Sequence, residues 1–231
     1  MPNTNRIARC GAAALLLAAM LATAAAADTQ VGKLDERVRR ATEVYRELLK
    51  EPDRSVPQAL LDKARCVAVI PHVIKGAIGY GARYGRGVIS CRDSSGVWSP
   101  PCFITLTGGS VGFQIGGESS DIVLFFMTDH GARSLIESKF TLGGKASVAA
   151  GPVGRSAEAS TDVKLDAEIY SYAKSKGLFA GVSLEGARLA PDDKANAEYY
   201  GAPTSARALL FGHRAPKAPP EAREFLDALP H

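Results

Sequence analysis

The sequence predicts a single α+β domain in which an antiparallel, glycine-rich β-sheet or partial barrel is flanked by helices. Strand-like runs are followed by helix-like runs with hairpin-length connections, and the pattern lacks the strand–helix alternation of parallel sheets. Eleven of the 23 glycines fall between Gly76 and Gly117, which places the strands and their turns in that stretch. With 46% hydrophobic residues, the chain can bury one sizeable core.

The first 27 residues have the pattern of a signal peptide. Arg6 and Arg9 precede an apolar run over 12–21, and alanines at 24–27 suit cleavage near Ala27. Because a membrane-spanning helix needs roughly 20 apolar residues, we expect export to the periplasm or secretion, with an uncleaved anchor as the alternative. Loss of the two arginines leaves 26 basic and 24 acidic residues, so the net charge falls from +4 to about +2.

Residues 28–57 are the predicted N-terminal amphipathic helix region. Apolar side chains recur at intervals of three and four, and Pro52 ends the pattern. The stripe could lie on a membrane surface, but acidic residues interspersed on the polar face favour packing against the core. Pro57 then suits the start of a second, short helix. The stripe consists of Leu34, Val38, Ala41, Tyr45 and Leu48.

Residues 58–212 contain the predicted sheet. A turn at 93–96 separates two strands, and the proline pair at 100–101 requires a sheet edge or a bend. The run 122–127 is apolar on both faces and should be the most buried strand. Thr128 is the expected N-cap of a helix that reaches about Lys139.

The last third of the chain returns to strands before it ends in helices. Alternation at 169–173 and the run 177–184 predict two further strands. The Pro-Asp-Asp sequence at 191–193 should start a helix that Gly201 ends. Residues 213–231 are a Pro-rich C-terminal tail with a short helix.

Two glycine-containing motifs point weakly to catalysis or cofactor binding. Residues 108–112 match G-x-S-x-G, the serine hydrolase elbow, with Ser110 as the nucleophile. A β-like run over 113–117 follows where the elbow needs a helix, so a glycine-rich strand pair is the favoured interpretation. The glycines at 79, 81, 85 and 87 have the wrong spacing for a dinucleotide loop, and we interpret them as tight turns in a twisted sheet. No cofactor is predicted.

Composition disfavours nucleic acid and metal as partners. A net charge of +4 and 7% aromatic residues are too little for a basic, base-stacking surface. The sequence has no Cys-x-x-Cys and no His–Cys cluster, so no metal site is predicted. Cys66, Cys91 and Cys102 remain after export; Cys66–Cys91, Cys91–Cys102 and three free thiols are all possible.

Six basic residues lie at or near glycine-rich turns or element ends, where their side chains could pair with phosphate oxygens. Scattered surface charge is the commoner explanation of any one of them, and only clustering in space would make them a site. They are Lys75, Arg83, Arg86, Lys139, Lys145 and Arg155.

Several segments together resemble the SYLF domain family, in the family's order and over about residues 58–212. The stretch 193–201, with Asp193, Asn196 and Tyr199-Tyr200-Gly201, resembles the family's closing motif. The other segments are Ala64–Pro71, Tyr84–Val88, Trp98–Pro101, Gly109–Gly116, Ala150–Arg155 and Gly177–Leu184.

The resemblance implies a non-enzymatic lipid-binding protein, here of the bacterial envelope, whose partner is anionic phospholipid or a membrane surface. Eukaryotic members are associated with phosphoinositide membranes, and some with actin. The loop cations would hold the head group, while Leu178, Phe179 or the stripe of the N-terminal helix would contact the acyl region. The resemblance also implies a Cys66–Cys91 pair. The alternatives are an assembly module whose sheet edge binds an envelope protein, and a serine hydrolase using Ser110.

Overall fold

The computed structural model describes residues 31–51, 56–78, 80–111, 116–136, 140–144, 146–153, 166–175, 177–212 and 215–230. These residues form one α+β domain with a curled, mixed sheet. The α+β fold class predicted from the sequence is confirmed. The predicted signal peptide lies outside the described residues.

Nine strands form the sheet. They are β1 Cys66–Ile78, β2 Tyr80–Cys91, β3 Cys102–Val111, β4 Gly116–Phe126, β5 Phe140–Thr141, β6 Val148–Ala150, β7 Ile169–Ser175, β8 Leu178–Gly181 and β9 Arg188–Pro191. Their order is β5-β9-β3-β2-β1-β4-β7-β6, with β8 paired to β7. The described pairings are antiparallel except β6–β7, which is parallel, so the antiparallel prediction holds for the whole sheet but that pair.

Six helices lie within the described ranges. They are α1 over 31–50, α2 Gln58–Lys63, α3 Asp129–Ser134, α4 Asp193–Tyr200, α5 Ala206–Phe211 and α6 Pro220–Ala228. Among the helices in the described ranges, none is both long enough and apolar enough to cross a membrane.

The sheet has a core on each face, because successive side chains of a strand point to opposite sides. Ala68 and Ile70 of β1 face the concave side and pack with α5 and the end of α3. Val67 and Val69 face the outer side and pack with α1, α4 and α6. The predicted stripe of α1 is buried in this outer core, at no more than 4% exposure. It therefore packs on the sheet and is not free to lie on a membrane.

Most helix boundaries agree with the sequence. The Thr128 hydroxyl accepts a hydrogen bond from the Gly131 amide, as an N-cap does. The Asp192 carboxylate caps α4, and Gly201 ends it with φ of 70°. The prediction for the end of α3 is wrong, since the helix stops at Ser134 instead of near Lys139. The chain has to turn there to pair as β5, which begins at residue 140.

The glycines of β2 are not in turns, which corrects the interpretation drawn from their spacing. Gly85 and Gly87 lie in the middle of the strand, opposite an irregularity in β1 where His72 has φ of 53°. A Cβ atom on Gly87 would lie 2.2 Å from the Val69 carbonyl oxygen, and one on Gly85 would lie 2.6 Å from Val73 Cγ2. The missing side chains let the two strands approach closely.

Cys66 and Cys91 form a disulfide across directly opposed positions of β1 and β2. Cys102 is free and buried, and burial raises the pKa of its thiol to about 12. The disulfide lies at one end of the sheet, which we call the disulfide end. The strand ends that flank the β1–β2 and β3–β4 connections are at the opposite end.

Candidate functional site

The strand ends that flank three connections lie at one end of the sheet, which we call the hairpin end. Residue 78 of β1 pairs with residue 80 of β2, and residue 80 also pairs with residue 111 of β3. Gly76 of β1 pairs with Gly117 near the start of β4. On β7, Ser175 pairs with Leu178 of β8. The strand ends that flank the β1–β2, β3–β4 and β7–β8 connections are therefore neighbours in space, although these connections are distant in sequence.

A row of charged side chains crosses the concave face at the hairpin end. Lys75 of β1 lies directly between Arg83 of β2 and Glu118 of β4. Register, and not sequence proximity, places the three side chains on one face. Gly108 of β3 is opposite Arg83, and a Cβ atom there would lie 3.1 Å from Arg83 Cγ. This glycine leaves room for the aliphatic part of the arginine.

The row borders a cleft of about 440 Å³. Serine hydroxyls and Glu118 line its rim, and the Ser175 hydroxyl donates to Glu118 Oε1 over 2.9 Å. Most of the floor is apolar, which is the composition of ligand-binding clefts in this size range. The floor residues are Val73, Ile122, Ala173, Ala180 and Leu184.

The two cations of the cleft have no acidic partner among the described residues. Lys75 and Arg83 are half-buried, and neither forms an ion pair or a side-chain hydrogen bond within the described part of the chain. The single carboxylate of the rim, Glu118, leaves the cleft with one excess positive charge. A partly enclosed cation attracts an anion more strongly than a fully solvated one, since solvent screening is weaker there.

Exposed apolar side chains surround the charged row. Leu178 on the rim of the cleft is 52% exposed. Ile74 and Tyr84, which are cross-strand partners on the outer face at the same end, are 52% and 44% exposed. The hairpin end thus combines solvent-facing apolar groups with cations that lack an ionic partner among the described residues, the combination found on surfaces that contact the interface of a bilayer.

Only part of the predicted site comes together. Lys75, Arg83 and Leu178 line one cleft. Arg86 is on the outer face, where its Nε donates to the Tyr84 hydroxyl over 2.5 Å and its guanidinium lies 5.6 Å from the ring centroid. Arg83 and Arg86 are three residues apart in one strand, and an odd separation puts two side chains on opposite faces.

Phe179 is also separated from the cleft. It is fully buried in the outer core, while its neighbour Leu178 faces the concave side. The Lys174 ammonium lies 5.7 Å from the centroid of its ring. Phe179 is therefore a core residue, and its position offers no contact to a lipid chain. Lys139, Lys145 and Arg155 lie outside the described residues.

Sequence reasoning missed the acidic member of the row and the apolar floor. Glu118 follows two glycines and carries no motif. The signal that finds it is the β1–β4 register, which becomes visible only when strands distant in the chain are paired.

Ser110 does not have the surroundings of a hydrolase nucleophile. Its backbone belongs to β3 and pairs with Gly81 of β2, so it lies within a strand and not at a strand–turn–helix junction. Within the described ranges there is also no group of three or more His, Cys, Asp or Glu side chains placed to hold a metal ion.

Comparison with known proteins gives one consistent family. Residues 107–231 match the Ysc84 family, described as "Las17-binding protein actin regulator". Protein YSC84 of Saccharomyces cerevisiae is 36% identical over 204 residues, which is 85% of this chain and 43% of that protein. SH3 domain-containing YSC84-like protein 1 of Homo sapiens is 35% identical over 185 residues, 78% of this chain and 54% of that protein.

LAS seventeen-binding protein 3 of Saccharomyces cerevisiae is 38% identical over 167 residues, which is 71% of this chain and 36% of that protein. The chain thus spans about half, or less, of the length of the curated relatives it matches. Those relatives are named for binding and regulation, and none of these names describes a reaction.

Proposed function

The chain belongs to the SYLF (Ysc84) family, and from this premise we propose that it is a non-enzymatic protein that binds anionic phospholipid through the cleft at the hairpin end. Lys75 and Arg83 hold the phosphate of the head group. Leu178 contacts the first part of the acyl chain. The observation that carries the proposal is the pair of adjacent cations above an apolar floor, which have no ion pair within the part of the chain that the structure describes.

The chemistry of the two cations suits a phosphodiester. Arginine presents a planar fork that can donate two parallel hydrogen bonds to phosphate oxygens, and lysine adds a compact charge. The two residues are directly opposed on neighbouring strands, so one phosphate can reach both. The apolar floor offers a surface for the glycerol backbone and the start of an acyl chain.

We also propose that the protein acts in the bacterial envelope after export. The signal-like sequence at 1–27 supports this location. So does the disulfide, because such bonds persist mainly in oxidising compartments. An exported chain would contact the anionic lipid of an envelope membrane. Fractionation of the cell envelope would show which membrane carries the protein.

A protein partner is the second candidate, since one relative is named for binding LAS seventeen and another for containing an SH3 domain. The short strands at the margins of the sheet disfavour partner binding by strand addition. The edge strands β5, β6 and β8 have two, three and four residues. Such short edges offer few free backbone groups to an added strand. A protein partner could use side chains, or the end of β3 beyond residue 107, where no pairing with β9 is described.

Vesicle flotation tests the proposal. The chain without residues 1–27 is mixed with vesicles of phosphatidylcholine alone or with added phosphatidylglycerol, at low and high salt. We expect binding to the anionic vesicles only, and weaker binding at high salt because salt screens exposed charges. Equal binding to both vesicle types, or none to either, would reject the proposal. Isolation of a stoichiometric envelope protein without lipid would favour the second candidate.

A further inference from the structure

A second cleft, of about 690 Å³, lies at the disulfide end of the molecule. The end of β2, the β2–β3 loop, α3, α5 and the segment 215–218 before α6 form its walls. It is separated from the hairpin-end cleft by the length of the strands. Neither the family description nor the names of the relatives assign a role to it.

The acidic groups of this cleft are already satisfied. Asp129 Oδ1 accepts from Arg65 Nε over 2.8 Å. The Asp93 carboxylate accepts from the Ser95 hydroxyl and from the backbone amides of Ser95 and Val97, and these bonds lower its pKa. Both carboxylates are bonded within the protein, and the four cations that line the cleft outnumber them.

The cations of the cleft have fewer hydrogen-bond and ion-pair partners than its carboxylates. Arg92 donates to the carbonyl oxygens of Asp62 and Ala64 and lies 5.5 Å from the ring centroid of Trp98. The Arg133 guanidinium lies 5.2 Å above a phenylalanine ring of α5. Lys217 is exposed. Neither Arg133 nor Lys217 has a carboxylate partner within the described ranges, so two cations remain available to a ligand.

The walls between these cations are apolar. Val97 is 64% exposed, the highest value among the large hydrophobic side chains of the described residues. The Trp98 indole N–H donates to the Pro230 carbonyl oxygen over 2.8 Å, so the ring contributes its face. Leu209, Phe211 and Leu226 complete the apolar lining.

We propose that this cleft binds an organic carboxylate with a compact apolar body. Arg133 and Lys217 would hold the carboxylate, and the rings of Trp98 and Phe211 would cover the body. The volume lies within the usual range for sites that enclose small organic molecules. The inference stands apart from phospholipid binding, because it uses different residues at the other end of the sheet.

The single tryptophan of the chain provides the readout, since it lines this cleft. The probe is 1-pyrenebutyrate, whose ring system accepts excitation energy from tryptophan. We expect saturable energy transfer with one molecule bound per chain. An Arg133→Gln/Lys217→Gln variant should bind roughly tenfold more weakly or worse, since it loses the charge-assisted hydrogen bonds to the carboxylate. Pyrenebutanol, which lacks the carboxylate, should bind equally weakly to both proteins.

A matched control comes from cations outside both clefts. An Arg188→Gln/Lys194→Gln variant removes two exposed cations that line neither cleft and should bind the probe as the parent does. If the Arg133→Gln/Lys217→Gln variant is not folded by circular dichroism, Lys217→Gln alone and Arg133→Lys serve in its place, and each should weaken binding. Unsaturable transfer, or equal affinity in the parent and the variants at 133 and 217, would overturn the proposal.

Discussion

Removal of the two cations from the hairpin-end cleft should weaken binding to anionic vesicles by a calculable amount. A lysine or arginine close to an anionic membrane contributes about 1 kcal/mol. The Lys75→Gln/Arg83→Gln variant should therefore lose about 2 kcal/mol, which is roughly a 30-fold fall in the partition coefficient. Each single variant should lose roughly fivefold by the same conversion.

The structure separates this effect from a loss of stability. Lys75 and Arg83 have no ion pair among the described residues, so their replacement breaks no folded-state contact of that kind. Glu118→Gln removes the one carboxylate that lines the cleft among the described residues and should strengthen binding roughly fivefold. Arg223→Gln changes an exposed cation of α6, away from the cleft, and is the control for net charge.

The assay is partitioning into vesicles of graded phosphatidylglycerol content, with thermal unfolding of each variant measured in parallel. We expect the order Glu118→Gln, parent, Lys75→Gln or Arg83→Gln, and the double variant, from strongest to weakest. If Arg223→Gln weakens binding as much as Arg83→Gln does, net charge decides affinity and the cleft does not. That result would refute the reasoning.

The remaining predictions concern stability. Gly87→Ala should cost about 3 kcal/mol or more, because its Cβ atom would overlap the backbone of β1; Gly76→Ala, where nothing lies within 4 Å, is the control in chemical denaturation. Joint replacement of Cys66 and Cys91 by alanine should cost about 3 kcal/mol and lower Tm by roughly 6–12 °C in calorimetry, and an unchanged Tm would contradict this. Burial raises the pKa of Glu168, but hydrogen bonds from a histidine, a threonine and a backbone amide outweigh it and leave the pKa below 4.5. This carboxylate stabilises the fold above that pH and loses its contribution as the pH falls through its lowered pKa; Glu168→Gln should therefore show a smaller fall in Tm on acidification, and an equal fall would count against this role.

Helices with a regular apolar period could be predicted well from the sequence. The stripe of α1 contains enough turns to define both its length and its buried face. The end of α3 could not be predicted, because it is set by the pairing of β5 with β9 and not by any local signal. The glycines at 85 and 87 were misinterpreted for a related reason. A tight turn and a close strand contact both require a missing side chain, and composition does not distinguish them.

The candidate site could be predicted from the sequence only in part. The parity of a strand places Leu178 and Phe179 on opposite faces, and likewise Arg83 and Arg86, so only one of each pair can line a given cleft. Applied to the sequence, this rule would have divided the predicted set into two faces. To predict that Lys75 lies opposite both Arg83 and Glu118, one must know the pairing register of three strands. The irregularity in β1 shifts that register. That information is not present in any local pattern.

The most direct test of the account asks which end of the protein contacts the bilayer. A Leu178→Trp probe in a Trp98→Phe background places the single tryptophan at the hairpin end, while the parent keeps it at the disulfide end. Both proteins are bound to phosphatidylglycerol vesicles whose acyl chains carry bromine, which quenches fluorescence on contact. We predict strong quenching and a blue shift for the probe at position 178, and none for Trp98 in the parent. Quenching of Trp98 with no quenching at 178 would contradict binding through the hairpin end.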